Sequence, residues 1–332
     1  MLEHIVAICM LVSIVLYALT GGADFGGGLW DLLASGPRAK QQRNAIEHAI
    51  GPIWEANHVW LILVVVILFT GFPKAFAAMM TALNIPVTAM LIGIVLRGSA
   101  FIFRKYDSKA GKIQRGWGMV FGTSSVITPL VQGTILGALA TGRIRIVNGQ
   151  VVTGFFAGWM STFALGCGLF ALGLFAFLAA TYLTVETKDQ PELQNDFRRR
   201  AMGAGLALVP LAAAVWFISS RDAPSLFHEL TQWWALVLFA CTACLAAAAL
   251  VALGKRRFIL ARIAAVGQVT LILAGWSIGQ YPHIIIPDVT FLNAQAPQIT
   301  LRLLLTALGA GALVLFPSLF FLFHLFKGQS SQ

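Results

Sequence analysis

Charged side chains are scarce in this sequence. Asp, Glu, Lys and Arg together make up 11% of its 332 residues, whereas 58% are hydrophobic. A soluble globular domain carries roughly a quarter charged residues. A soluble protein could not bury this much apolar surface in its core, so the composition excludes a soluble globular protein. The composition therefore predicts an integral membrane protein that is dissolved largely in the bilayer.

Cysteine is also rare, and each of the four cysteines lies inside an apolar run. A thiol in such a run behaves as a small hydrophobic side chain. Cys241 and Cys244 have the spacing of a redox or metal-binding pair, but no polar partner adjoins them and Leu245 excludes a haem-attachment motif. We expect the cysteines to serve packing, and the sequence predicts no metal site.

Nine apolar runs are long enough to cross a bilayer, which takes about 20 mostly apolar residues in a helix. The first run lacks a basic region before it, so we expect it to persist as an anchor rather than a cleaved signal. Residues 1–332 are predicted to form a single polytopic membrane domain with no soluble domain. The predicted spans are 5–30, 52–72, 76–103, 117–140, 152–185, 201–219, 231–253, 263–286 and 300–326.

Basic residues are divided unevenly between the two sets of loops. Of the 23 Lys and Arg, 17 follow the odd-numbered spans and four lie on the opposite side, with Arg97 and Arg302 inside spans. Because basic loops stay in the cytoplasm, the N-terminus is predicted outside and the C-terminus inside. Topology thus explains the net charge of +10, and we expect no nucleic-acid partner.

Four charged or titratable side chains fall inside the predicted spans: Asp24, Glu55, His58 and Arg97. Such residues are costly in a bilayer and are functional candidates by default. The predicted orientation places all four at similar depth in the cytoplasmic half, on three helices. Glu55 and His58 are three residues apart and share a helix face. These features predict a proton pathway that leads inward from the cytoplasm.

Structural roles stay open for the same residues. Glu55 follows Pro52 by three residues, where a carboxylate complements a helix N-terminus. Asp24 and Arg97 would also form a buried ion pair that joins two helices. Each role accounts for one residue or pair, whereas a proton pathway accounts for the whole group.

The glycines beside Asp24 favour packing over ligand binding. Gly22 and Gly26 are four residues apart, a spacing that lets membrane helices approach closely. A phosphate-binding loop would need a preceding strand, and none is predicted. Among the histidines, only His58 lies clearly inside a span. Because haem iron usually takes ligands from facing helices, we predict no haem site in this chain.

Two motifs carry a resemblance to a known family. "GGADFGGGLWDLL" followed by "GPIWEANHVWLI" is similar to the opening of subunit II of cytochrome bd-type quinol oxidases. Further segments, "YLTVET", "FRRRA" and "YPHIIIPDVTFLNAQAP", fall where that family has similar sequences. The resemblance covers essentially the whole chain. It implies an all-α membrane fold of two four-helix bundles plus one peripheral helix.

The resemblance also implies a function. Subunit II is the haem-free partner of subunit I, which carries two haem b, one haem d and the quinol site. The complex lies in the bacterial or archaeal cell (inner) membrane, oxidises quinol and reduces oxygen to water with cytoplasmic protons. This chain would support assembly of subunit I and deliver protons to it, without catalytic, cofactor-binding or metal-binding residues of its own. Lipid and small accessory subunits are further candidate partners.

Individual residues match the family's motifs. Glu55, after Trp54, stands where the family has an acidic residue assigned to a proton path. Asp24 and Arg97 match its aspartate and its third-helix arginine. Trp60 matches a tryptophan that is associated with an oxygen route in some members of the family. Trp54 and Asn57 are further candidates for that route or for the subunit interface.

The chain departs from the family at three places. Many members have a second aspartate at the position of Gly21, Asp-Gly at Glu55-Ala56, and Gln or Glu at His58. The longer Glu55 side chain keeps the charge but reaches about one methylene further, which changes the relay geometry.

Two other functions are compatible with the sequence. One is a proton-coupled secondary transporter, although the interrupting Pro86, Pro129 and Pro210 do not recur at corresponding places in two halves, as repeats would require. The other is a purely scaffolding membrane subunit, in which the ionisable residues serve structure alone.

Overall fold

The computed structural model describes residues 1–51, 54–106 and 112–327, and within them the fold is built almost entirely of helices. The predicted start of the second span at Pro52 and the basic residue Lys109 lie outside the described residues. Nine described helical segments are long and apolar enough to cross a membrane, which confirms the number of spans predicted. The chain is an all-α, multi-pass membrane protein.

The first part of the chain forms one bundle. Helix α1 packs against α4 and α7, and α6 packs against α7. The second span is made of α3 followed by α4. The helices are α1 (Leu2–Leu32), α2 (Ala39–Ile50), α3 (Trp54–Asn57), α4 (Val59–Gly71), α5 (Pro73–Ala82), α6 (Asn84–Tyr106) and α7 (Lys112–Ala140).

The rest of the chain forms the second bundle and a peripheral helix. Its elements are β1 (Ile146–Val147), β2 (Gln150–Val151), α8 (Thr162–Glu186), α9 (Pro191–Asp222), α10 (Pro224–Leu230), α11 (Trp233–Gly254), α12 (Phe258–Gln280), β3 (His283–Ile285), β4 (Val289–Thr290), α13 (Phe291–Ala294) and α14 (Gln298–Lys327). Helices α8, α9, α11 and α12 pack together, and α8 also packs on α1 and α7. Helix α14 lies outside both bundles against α4 and α1. The predicted two bundles plus one peripheral helix are confirmed.

Four predicted span boundaries differ clearly from the structure. The run 76–103 is broken at Leu83, and the crossing segment begins at Asn84, with Pro86 in the first turn, where its missing N–H costs nothing. The fifth span starts at Thr162 rather than 152, because Ser161 caps the helix by accepting a hydrogen bond from the Ala164 N–H. Residues before Ser161 form turns and the β1–β2 hairpin.

The other two departures involve the ends of long helices. Helix α12 ends at Gln280, not 286, because residues 283–285 leave the helix to pair with β4. Helix α9 is longer than the predicted 201–219, since its first turns are polar and start at Pro191, a favoured first helical residue. Apolarity alone marks the membrane-embedded part of a helix and not where the helix ends.

The four cysteines differ in their exposure within the chain. Cys241 and Cys244 are exposed on α11, whereas Cys9 and Cys167 are partly buried. Only a minor share of α11 is buried in the chain. Its outer face lies where lipid would contact it, so an apolar side chain there needs no protein partner.

The loops that are rich in Lys and Arg meet at one end of the molecule, here called the basic end. Arg38 donates two hydrogen bonds to Asp196, which raises the pKa of Arg38, and Arg200 donates to Gln42 at 2.7 Å. Arg198 donates to the Leu253 carbonyl oxygen at 2.6 Å. These bonds join the loops after the first, fifth and seventh spans, as the charge distribution requires. Which side of the membrane they face stays a prediction.

The two short hairpins lie at the opposite end. Asp288 accepts hydrogen bonds from the Ile146 N–H at 2.8 Å and from Arg145 Nε at 2.9 Å, which ties β1–β2 to β3–β4. Burial raises the pKa of the Asp288 carboxyl, but these two donors outweigh burial and hold that pKa below its usual value.

Candidate functional site

Asp24 and Asn57 form a direct pair inside the first bundle. The Nδ2 of Asn57 donates a hydrogen bond to Oδ2 of Asp24 at 2.7 Å. Both side chains are buried, with Asp24 only 5% exposed. The pair joins α1 to α3, so a buried carboxylate on one helix meets a polar side chain on the next.

Helix α1 also packs closely on α8, through two glycines that flank Asp24 in the sequence. A Cβ at Gly22 would lie 2.5 Å from the Phe175 ring, and one at Gly26 would overlap the Phe175 carbonyl group. Only glycine permits this approach of the two backbones. The four-residue glycine spacing therefore acts between these two helices, with each glycine two residues, about half a turn, from Asp24.

Arg97 is the largest fully buried side chain and is 1% exposed. Its guanidinium carbon lies 4.8 Å from the Phe25 ring centroid and 5.3 Å from that of Phe121. The two rings supply favourable cation–π contacts, and the charge is attracted to the carboxylate of Asp24. Its Nε and Nη2 are buried without a hydrogen-bond partner in the described part of the chain.

His58 lies between α3 and α4, where the helix tightens. Its N–H bonds to the Glu55 carbonyl three residues before, and its half-buried ring is 6.0 Å from both Tyr17 and Phe25, centroid to centroid. Gln132 Nε2 donates to the Tyr17 hydroxyl at 2.7 Å. We call this set the polar cluster: Tyr17, Asp24, Asn57, His58, Arg97 and Gln132.

Glu55 does not belong to the buried group, although the sequence places it beside His58. Its side chain is exposed on the short helix α3, whereas Asn57, two residues later, is buried. The structure therefore brings together Asp24, His58 and Arg97, as predicted by depth, and sets Glu55 at the surface next to them.

The two tryptophans of this region pack against other helices. Trp54 lies against α6, where a Cβ at Gly98 would come within 3.1 Å of the indole, and its ring is 5.8 Å from that of Phe101. Trp60 is buried with its ring 6.2 Å from that of Phe316 on α14. Asn57, considered with them as part of an oxygen route, instead bonds Asp24.

Sequence reasoning missed an ion pair just below the cluster. Arg104 Nη1 donates to Oδ2 of Asp31 at 2.8 Å, and its Nη2 lies 3.6 Å from the Glu47 carboxylate. The sequence did contain a pattern that indicates this ion pair. Asp24 and Asp31 on α1 are seven residues apart, as are Arg97 and Arg104 on α6, and residues at this spacing lie on the same face of a helix. The face of α1 that carries both aspartates also carries Tyr17.

A cleft runs from the polar cluster toward the basic end. Its volume is about 260 Å³, and α1, α2, α8 and α12 form its walls. Asp24, Asn57 and Thr20 lie at its inner end. At its outer end are Tyr182, Glu186 and Arg262, with Arg262 4.6 Å from the Tyr182 ring centroid and 3.8 Å from the Glu186 carboxylate.

Metal-binding geometry is not found in the described residues, where no three His, Cys, Asp or Glu side chains group together. Near the opposite end, His4 Nε2 lies 2.9 Å from the Tyr281 hydroxyl, a polar surface contact. The polar cluster contains a carboxylate, an imidazole, a phenol, a guanidinium and two amides, groups that can hold or exchange protons through hydrogen bonds.

Comparisons with known proteins agree on one family. The profile of the family described as "Cytochrome bd terminal oxidase subunit II" matches residues 2–326. The "Cytochrome bd-I ubiquinol oxidase subunit 2" of Escherichia coli (strain K12) is 29% identical over 64% of this chain. That alignment spans only 57% of the Escherichia coli protein.

Two further similarities cover nearly the whole chain. The "Putative cytochrome bd menaquinol oxidase subunit II" of Bacillus subtilis (strain 168) is 24% identical over 98% of this chain and 95% of its own length. A chain in the solved structure of bd oxidase from Geobacillus thermodenitrificans matches with a TM-score of 0.75 at 21% identity, covering 98% of each chain. At that identity the structural match bears on the fold alone.

Proposed function

The chain belongs to the cytochrome bd terminal oxidase subunit II family, and from this membership we propose that it is the haem-free subunit of a quinol oxidase complex. The complex would oxidise quinol and reduce oxygen to water. Redox chemistry would take place on the two haem b and one haem d of the partner, subunit I. This chain would support the partner's assembly and bring it protons.

The proposal includes location and orientation. The complex would lie in the bacterial or archaeal inner membrane, with the N-terminus of this chain outside. The basic end, where Arg38, Arg198 and Arg200 join the loops, would then face the cytoplasm. Reduction of oxygen consumes protons, and a carboxylate buried near the cytoplasmic face is well placed to relay them.

The observation that best supports a role in proton delivery is the hydrogen bond between Asn57 and the buried Asp24. A carboxylate in a bilayer is costly unless it has partners or a function. Asn57 donates a hydrogen bond to Asp24, the positive charge of Arg97 attracts its carboxylate, and His58 offers a second protonatable group close by. We assign Asp24 as the carrier, with Arg97 and Asn57 as the residues that position it.

Glu55 has a different place in the proposed pathway. Because it is exposed on this chain but adjoins the polar cluster, it would face subunit I and pass protons across the interface. For Trp54 and Trp60, the ring contacts with α6 and α14 support packing of helices rather than passage of oxygen.

The test replaces each carboxylate in the assembled complex. Asp24→Asn and Glu55→Gln are expected to leave the haem content of the purified complex unchanged and to lower quinol oxidation and proton uptake about tenfold or more, the scale typical of a lost proton-transfer group. Glu192→Gln is the matched control, since Glu192 is a 79% exposed carboxylate that pairs with Arg38 at the surface.

The same variants separate delivery from scaffolding. Loss of haem together with loss of activity would show that the carboxylates hold the complex together. Full turnover in both variants, with full haem content, would contradict proton delivery through this chain.

A further inference from the structure

A buried carboxylate that relays protons needs a connection to water, and Asp24 has only 5% of its surface exposed. The sequence predicts a pathway that leads inward from the cytoplasm and involves Asp24, Glu55 and His58, without specifying where protons enter. The structure offers Asp24 a connection in the cleft between α1, α2, α8 and α12.

We propose that this cleft is the entrance of the proton pathway and that Glu186, at its outer end, is the group that collects protons from the cytoplasm. The inference rests on the proposed function, because it names the entry point for the proton relay at Asp24. In this scheme protons pass from Glu186 through the cleft to Asp24, and Glu55 serves the exit.

The two ends of the cleft have the chemistry that an entrance requires. Glu186 is the last residue of α8, and its side chain is 30% exposed, so it exchanges protons with bulk water. Its carboxylate lies 3.8 Å from Arg262 Nη1. At the other end, Asn57 and Asp24 line the same cleft and are hydrogen-bonded to each other.

The distance between the two ends of the cleft determines how a proton can cross it. Ala179 and Glu186 both line the cleft and are seven residues apart on α8, which corresponds to about 10 Å along the helix. That is several times the length of one hydrogen bond, so transfer needs intervening water. A volume of about 260 Å³ accommodates a file of several waters, each of which takes about 30 Å³ in the liquid.

The walls of the cleft favour a file of water over a large pool. They are mostly apolar, from Leu16, Leu19 and Leu183, and polar groups recur at intervals: the Thr20 hydroxyl near the inner end and the Tyr182 hydroxyl near the outer end. Arg262 over the Tyr182 ring places a positive charge at the mouth. That charge lies beside the Glu186 carboxylate.

The experiment measures proton uptake and quinol oxidation by the purified complex after single substitutions in this chain. Glu186→Gln is expected to slow proton uptake about tenfold with unchanged haem content. Ala49→Phe, which fills the cleft from α2, should do the same. Glu192→Gln, a surface carboxylate outside the cleft, should match the wild type.

A second variant separates proton collection from a structural role of the ion pair. Arg262→Gln breaks the pair with Glu186 but keeps the carboxylate, so uptake should stay within about twofold of the wild type, whereas a structural pair would lose as much as Glu186→Gln. Added acetate should restore uptake in Glu186→Gln, because a small acid replaces the missing carboxyl. It should not restore uptake in Ala49→Phe, where the route itself is filled.

The outcomes distinguish this inference from the proposed function. If Asp24→Asn loses uptake while Glu186→Gln and Ala49→Phe keep the wild-type rate, the entrance lies elsewhere and the cleft holds something other than water, such as a lipid chain. Equal loss in Arg262→Gln and Glu186→Gln would also overturn the entrance. If Asp24→Asn itself keeps the wild-type rate, the proposed proton delivery by this chain is wrong, whatever the result for the cleft.

Discussion

Two carboxylates on α1 and two arginines on α6 repeat at the same seven-residue interval. Asp31 and Arg104 form a direct ion pair at 2.8 Å, whereas Arg97, one repeat earlier, is flanked by aromatic rings near Asp24. The lower pair has a plain structural role, because it closes the end of the bundle and adds Glu47 of α2. The upper group leaves Nε and Nη2 of Arg97 without a hydrogen-bond partner within the described residues and is the one suited to function.

The ion pair predicts a clear stability effect. Asp31→Asn removes the negative charge that faces the nearly buried Arg104, and the remaining carboxylate contact, to Glu47, is longer. We therefore expect the free energy of unfolding to fall by about 3 kcal/mol, the cost of breaking a buried pair from one side. The measurement is the midpoint of thermal unfolding of the purified protein. Arg143→Gln, in an exposed pair with Asp222, is the control and should change stability by under about 1 kcal/mol. Equal midpoints for Asp31→Asn and the control would contradict this role.

At the scale of elements, the sequence could predict that α1 makes a close contact with another helix, but it could not predict where several helices end. The four-residue spacing of Gly22 and Gly26 predicts a close helix contact, though not which helix provides it. Phe175 of α8 makes this contact because the second bundle packs against the first. The ends at Leu83, Ser161 and Gln280 depend on capping and hairpin pairing, which hydropathy does not detect.

The helix contact can be tested with two glycines. Gly26→Ala would force a methyl group into the Phe175 backbone, so we expect a loss of about 1–3 kcal/mol from overpacking and a lower unfolding midpoint. Gly203→Ala on α9 is the matched control, since nothing lies within 4 Å of its Cβ position. There alanine should be neutral or stabilising by up to about 1 kcal/mol through helix propensity. A midpoint for Gly26→Ala as high as that of Gly203→Ala would refute the close approach.

For the molecule as a whole, charge and hydropathy were sufficient to predict nine spans and loops that meet at one end. The number and depth of the spans also placed Asp24, His58 and Arg97 together, since depth follows from position along each helix. Exposure of Glu55 and the cleft that ends at Glu186 were not predictable. Both depend on how α2, α3 and α12 pack against α1, and contacts between distant elements leave no periodic trace in one sequence.

The central claim is that this chain acts as the haem-free subunit of a haem-bearing quinol oxidase, and one purification tests it. The tagged chain is isolated in mild detergent from cells shown to express a haem-bearing subunit I, and the absorption spectrum of the eluate is recorded. We predict a co-purifying subunit with b-type and d-type haem bands. A single colourless chain would contradict the account and favour a proton-coupled transporter.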